Sequence, residues 1–240
     1  MTANQTPRYG PVDGSQSPRF VGIRTFMRLP HVTDLTDVDV AILGVPFDTG
    51  ATFRVGARFG PAAVREASVL LRPYNPAQDI AIFDRLSVVD AGDVVIAPGF
   101  IEDSYARIEA HLHPILEAGV TPLVLGGDHS ITLAELRAVA AVHGPIGLVQ
   151  FDSHADTWDQ YFGHRYTHGT PIRRAVEEGL IAPERSIQVG LRGGLYGPED
   201  YRLSTDLDLQ IVPATEVRER GVASVAAQIR ERLTGGPCFV

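Results

Sequence analysis

Two rhythms of apolar residues alternate along this chain. The first is a short unbroken run closed by Gly or Pro: VDVAILGVP (38–46), TPLVLGG (121–127), PIGLVQFD (145–152), RSIQVGLRG (185–193) and LQIVP (209–213). Bounded runs of this length read as buried strands. The second rhythm has helical spacing. In IEDSYARIEAHLHPILEAG (101–119), Ile101, Tyr105, Ile108, Leu112, Ile115 and Leu116 fall on one stripe, and Gly119 closes it. GPAAVREASVLL (60–71) opens with Pro in its first turn, as helices often do. The segments 130–144, 171–179 and 221–236 also read as helices, and PCFV (237–240) as the start of a strand.

Strands alternating with helices predict an α/β fold, a three-layer αβα arrangement around a mostly parallel central sheet. With 240 residues, 44% of them hydrophobic, one large domain is expected over residues 35–240. Residues 1–34, rich in Pro, Gly, Ser, Gln and Thr, read as an N-terminal arm that lies extended, on a partner subunit in one reading. In parallel sheets ligands bind beyond the carboxyl ends of the strands. Two of the strands end in polar clusters there, LGGDHS (125–130) and LVQFDSHAD (148–156).

Composition narrows the classes. The net charge of −8 argues against nucleic acid or an anionic membrane as partner. All 21 basic residues are arginine, which GC-rich coding explains. The single cysteine, Cys238, excludes an internal disulfide and points to the cytoplasm. The polar start lacks the apolar core of a signal peptide, and no run reaches the length of a spanning helix.

Asp152, His154 and Asp156 leave a strand on alternate residues, so an extended backbone would point all three to one side. Carboxylate with imidazole suits a hard to borderline divalent ion such as Mn²⁺ or Zn²⁺. His129, from the neighbouring cluster, adds a fourth ligand. The competing reading makes Asp128 or Ser130 a helix cap, but two such clusters at two strand ends favour metal.

LGGDHSITLAELRA (125–138) and LVQFDSHAD (148–156) resemble the first two signature motifs of the ureohydrolases, the arginase and agmatinase family. GVPFDTGATFRVGARFGPAAVREAS (44–68), HGTPIRRAVEEGL (168–180) and IQVGLRG (187–193) extend the likeness over nearly the whole chain, and SPRFVGIRTFMRLP (17–30) is similar to the agmatinase branch. The resemblance implies two manganese ions, with His129 on one, His154 on the other, Asp152 bridging both and Asp156 joining His129. It implies hydrolysis of agmatine or a related guanidino compound to urea and an amine, by water that two metal ions make nucleophilic. His168 is given the proton-transfer role, against a reading in which it only bonds a loop backbone. Trp158 is given a place in the substrate wall, against a core or interface aromatic. His164 is assigned to the surface or pocket rim. Gln150, where many relatives carry His or another residue, is expected to matter little. A homo-oligomer, trimer or hexamer, is implied.

The family's third motif, Ser-x-Asp-x-Asp, has no match here. Asp206 and Asp208, which imitate it, precede a strand instead of following one and read as surface residues. The expectation is therefore a sequence with its last strands missing, four of six metal ligands present, and no activity in these 240 residues alone. Guanidinobutyrase or proclavaminate-type amidinohydrolase activity, or a non-catalytic truncated homologue, are the alternatives.

Overall fold

A computed structural model describes residues 7–240, which form two compact units. The first comprises the chain up to Asp48 together with Arg54–Asp128; the second comprises Thr49–Phe53 and His129–Val240.

In the first unit, β1 (Val40–Gly44) is followed by α1 (Gly60–Ser68), a two-residue hairpin of β2 (Tyr74–Asn75) and β3 (Ile80–Ala81), β4 (Val88–Asp93), α2 (Ile101–Glu117) and β5 (Thr121–Leu125). The three longer strands make a parallel sheet in the order β4-β1-β5. The central strand is the most apolar, with Ala41, Ile42 and Leu43 fully covered. The stripe expected on α2 is buried at Tyr105, Ile108, Leu112, Ile115 and Leu116. Strand β4 has no counterpart among the expected elements, because its sequence VVDAGD is only half apolar. Its Asp90 is buried by a two-pronged ion pair with Arg65 of α1, at 2.8 and 2.9 Å.

Residues 7–34 carry one 3-10 turn, Phe26–Arg28, and are tied to their own unit. The Tyr9 N–H donates to Ser87 Oγ, and the Tyr9 carbonyl accepts from Val88 N–H. Arg28 donates to the carbonyls of Val12, Ser17 and Pro18. Residues 1–6 of the expected arm lie outside the described residues.

The second unit continues with α3 (Ile131–His143), β6 (Gly147–Phe151), α4 (Pro171–Glu177), β7 (Ile187–Leu191), α5 (Glu199–Thr205), β8 (Gln210–Pro213), α6 (Ala214–Arg220), α7 (Val222–Arg232) and β9 (Cys238–Phe239). Its sheet is parallel throughout, in the order β8-β7-β6-β9. Val149, Ile187, Val189 and Val212 of the strands close against Val225 of α7, with Val217, Ile229 and Leu233 at the margin. Because β6 and β7 run the same way, the loops that follow them emerge side by side at the carboxyl end of the sheet. Those two loops carry most of the site, and His129, just ahead of α3, completes it.

The α/β character and parallel pairing expected from the sequence are present in both units. Among the described residues, no helix is long and apolar enough to cross a membrane.

Candidate metal centre

The chain turns sharply after Phe151. The Asp152 carboxylate accepts from the His154 N–H at 2.8 Å, a local turn that asparagine and aspartate favour. Asp156 then adopts φ +52°, a left-handed conformation that costs most residues and that Asp tolerates better than most. The loop leaves through α4, whose Ile172 N–H donates to the Asp156 carbonyl at 3.2 Å.

This path brings three donors together. His129, Asp152 and Asp156 each offer one ligand atom, and these atoms all lie within 4.8 Å of one another. His129 Nδ1 contacts Asp156 Oδ2 closely and lies 3.5 Å from Asp152 Oδ2. Burial pulls the His129 imidazolium down, but the carboxylates of Asp156, Asp152 and Glu135 outweigh it and raise His129 above its ordinary value. Glu135, on α3, is itself buried, with no hydrogen-bond partner for Oε1, and burial pushes its carboxyl up to about 7. Two carboxylates, Asp152 and Asp156, thus converge on one imidazole, with the buried Glu135 carboxyl nearby. That oxygen and nitrogen donor set, without thiolate, fits a divalent cation.

His154 does not join the three. Its side chain is 75% exposed, with Nδ1 3.5 Å from the far oxygen of Asp152. It lines the adjacent cavity instead.

That cavity, about 330 Å³, is bounded by Asp156, Trp158, Tyr161, His168, Tyr196 and Asp200 among others. Trp158 stacks on Tyr161 with ring centroids 4.8 Å apart and tilts against Tyr196 at 5.7 Å. Its Nε1–H donates to Asp200 Oδ1 at 3.3 Å, while Asp200 Oδ2 accepts the Tyr196 N–H at 2.8 Å. A side chain at Gly169 would strike the indole at 3.0 Å, so glycine lets the tryptophan seat. His168 donates its backbone N–H to the Gly50 carbonyl at 3.1 Å, and its Nδ1 lies 2.9 Å from the same oxygen. It is therefore both loop-bonded and on the cavity wall. His164 is exposed, on a tight turn where Phe162 and Gly163 both have positive φ, the primed type that closes hairpins. Asp206 and Asp208 are exposed in the turn before β8, as expected.

Sequence reading missed Tyr161, Tyr196 and Asp200. The available signal was the aromatic and acidic composition of TWDQYF (157–162) and LYGPEDY (195–201), each past a strand end. It also undervalued Gln150. That side chain is buried and bonded: it accepts from Gln188 Nε2 at 2.6 Å and donates to the His154 carbonyl at 3.3 Å.

Residues 38–240 match the Arginase family. Guanidinobutyrase of Pseudomonas aeruginosa is 45% identical over 96% of this chain and 73% of its own length. Mitochondrial agmatinase of Gallus gallus is 43% identical over 92% of this chain and 65% of its own length. Among solved structures, proclavaminate amidino hydrolase from Streptomyces clavuligerus superposes with a TM-score of 0.86 at 40% identity, covering 93% of this chain and 74% of that one.

Proposed function

Since the chain belongs to the arginase family, we propose that it is a manganese-dependent amidinohydrolase that converts agmatine, or a close guanidino relative, to urea and an amine. The observation that carries this reading is that Asp156 belongs at once to the three-donor cluster and to the wall of the aromatic cavity. A cation held by the cluster would face whatever the cavity holds.

In this reading His129, Asp152 and Asp156 would hold manganese, and His154 would serve as a ligand to a second ion. Bound metal supplies the Lewis acidity that makes water nucleophilic towards the resonance-stabilised guanidinium at neutral pH. The protein's own groups do the rest. His168 has Nδ1 committed to a carbonyl, which leaves Nε2 as the nitrogen that takes a proton and returns it to the departing amine. Trp158, Tyr161 and Tyr196 cover the aliphatic stem of the substrate and exclude water. Asp200 sets the sign of the distal end. The cavity lining includes two carboxylates, Asp156 and Asp200, and no arginine, which favours a cationic tail over a carboxylate one. A guanidino acid is the second reading, favoured by the likeness to guanidinobutyrase.

The test is urea release by the manganese-loaded protein, expressed from its full reading frame, with agmatine, 4-guanidinobutyrate and arginine. Agmatine is expected to give the highest kcat/KM. Preference for the acid would move the second reading to the front, and no urea from any of the three would count against the hydrolase.

A further inference from the structure

Gln150 and Gln188 occupy matched positions on the adjacent parallel strands β6 and β7. Both are buried. Gln188 Nε2 donates to Gln150 Oε1 and to the Ala155 carbonyl, each at 2.6 Å. Gln150 Nε2 donates to the His154 carbonyl at 3.3 Å and reaches Asp152 Oδ2 at 3.5 Å. The direction of the chain of bonds is fixed by its ends. The loop offers only acceptors here, two carbonyls and a carboxylate, so both amide groups must turn their N–H donors toward it. Gln188 Oε1 is then left buried without a partner. Burying an amide oxygen unpaired is costly, and that cost is tolerated at a place where the paired donors serve the loop.

What the donors hold is the stretch directly before Asp156, the residue with φ +52°. A strained backbone persists only where its surroundings over-determine it. Three further bonds fasten the same loop: Asp152 N–H to the Val189 carbonyl, Arg192 N–H to the Ser153 carbonyl, and Ile172 N–H to the Asp156 carbonyl. Those are backbone bonds that any sequence could supply. The two glutamines add side-chain donors to the His154 and Ala155 carbonyls.

We propose that the Gln150–Gln188 amide pair is a positioning device that holds the 152–156 loop in its metal-ligating shape. The inference rests on the metal reading of His129, Asp152 and Asp156. Neither glutamine touches the cation; both act through the loop, as outer groups around metal ligands commonly do.

The experiment measures Mn²⁺ affinity by calorimetric titration of the metal-stripped protein, alongside its metal-free melting temperature. Gln150→Met keeps length and volume and removes both donors. Gln188→Met removes the Ala155 contact and serves as an independent variant should the first not fold. Gln150→His keeps one N–H toward the loop and a ring nitrogen to accept from Gln188. Expected are Met variants that bind Mn²⁺ about 10- to 100-fold more weakly, with little change in metal-free melting, and a His variant that recovers most of the lost affinity. Met variants with parental affinity would overturn the proposal. So would a His variant as weak as Gln150→Met, since that points to packing alone. A parent that binds no Mn²⁺ would remove the metal reading and this inference together, whereas a binding parent with unaffected variants removes this inference only.

Discussion

His168 directs its Nδ1 at the Gly50 carbonyl oxygen, 2.9 Å away, and a carbonyl only accepts, so this nitrogen carries the proton. The ring is thereby held in one tautomer, edge-on to Tyr161 with centroids 6.2 Å apart. Its other nitrogen is the basic one. His168→Gln should lower kcat for agmatine by about 10²- to 10⁴-fold, the usual worth of a positioned acid–base group. KM and Mn²⁺ affinity should change little, because the residue holds neither metal nor substrate stem. Steady-state kinetics with a parallel metal titration check both halves.

Asp200 bonds Trp158 and Tyr196 through one oxygen each. Asp200→Asn keeps an acceptor for the indole and removes the charge. If that charge selects the substrate tail, kcat/KM for agmatine should fall about tenfold, equivalent to ~1.4 kcal/mol, while that for 4-guanidinobutyrate holds or rises. An equal loss on both substrates would mean that Asp200 only shapes the wall.

Glu135 makes stability depend on pH. Its carboxyl is raised from the ordinary 4.5 to about 7 by burial, with His129 pulling the other way. Between those values the native protein holds a proton that the unfolded chain has released. The native state therefore binds more protons, and stability must fall as pH rises through this window. Above it the penalty amounts to about 3 kcal/mol. In metal-free protein, Glu135→Gln should raise the urea midpoint at pH 8 and leave it nearly unchanged at pH 4.5.

Arg65 is buried and bonds Asp90 through two nitrogens and the Gly92 carbonyl at 2.8 Å. Removing one partner of such a pair strands the other charge. Arg65→Met should cost about 3–5 kcal/mol, read as a lowered urea midpoint, although the site lies in other residues. Surface pairs such as Arg107 with Asp103 should cost under about 1 kcal/mol on the same measurement.

Most of the fold is legible in the sequence where burial and regular spacing coincide. The α2 stripe is the clearest case: five of the apolar positions that the helical period selects are the ones buried. Strand β4 was not legible because Asp90, at its centre, is covered by an ion pair with Arg65, 25 residues earlier in the chain. Helices α5 and α6 are seven residues each and largely polar, too short for a period to show. At the site, His129, Asp152 and Asp156 declare themselves through tight local spacing after strands. The aromatic wall does not. Tyr161 and Tyr196 are 35 residues apart and meet only because two parallel strands release their loops at the same end of the sheet. Gln150 reads as one polar position in an apolar strand, and its meaning appears only when Gln188 is found beside it.

A cation at His129, Asp152 and Asp156 underlies the proposed activity, and the direct measurement is a Mn²⁺ titration of the metal-stripped protein beside His129→Ala and Asp156→Ala. The parent should bind Mn²⁺ and gain about 2.7 kcal/mol of stability at a hundredfold excess over Kd. Each variant should lose both the binding and the gain. A parent that binds no Mn²⁺, or variants that bind it as the parent does, would contradict the assignment.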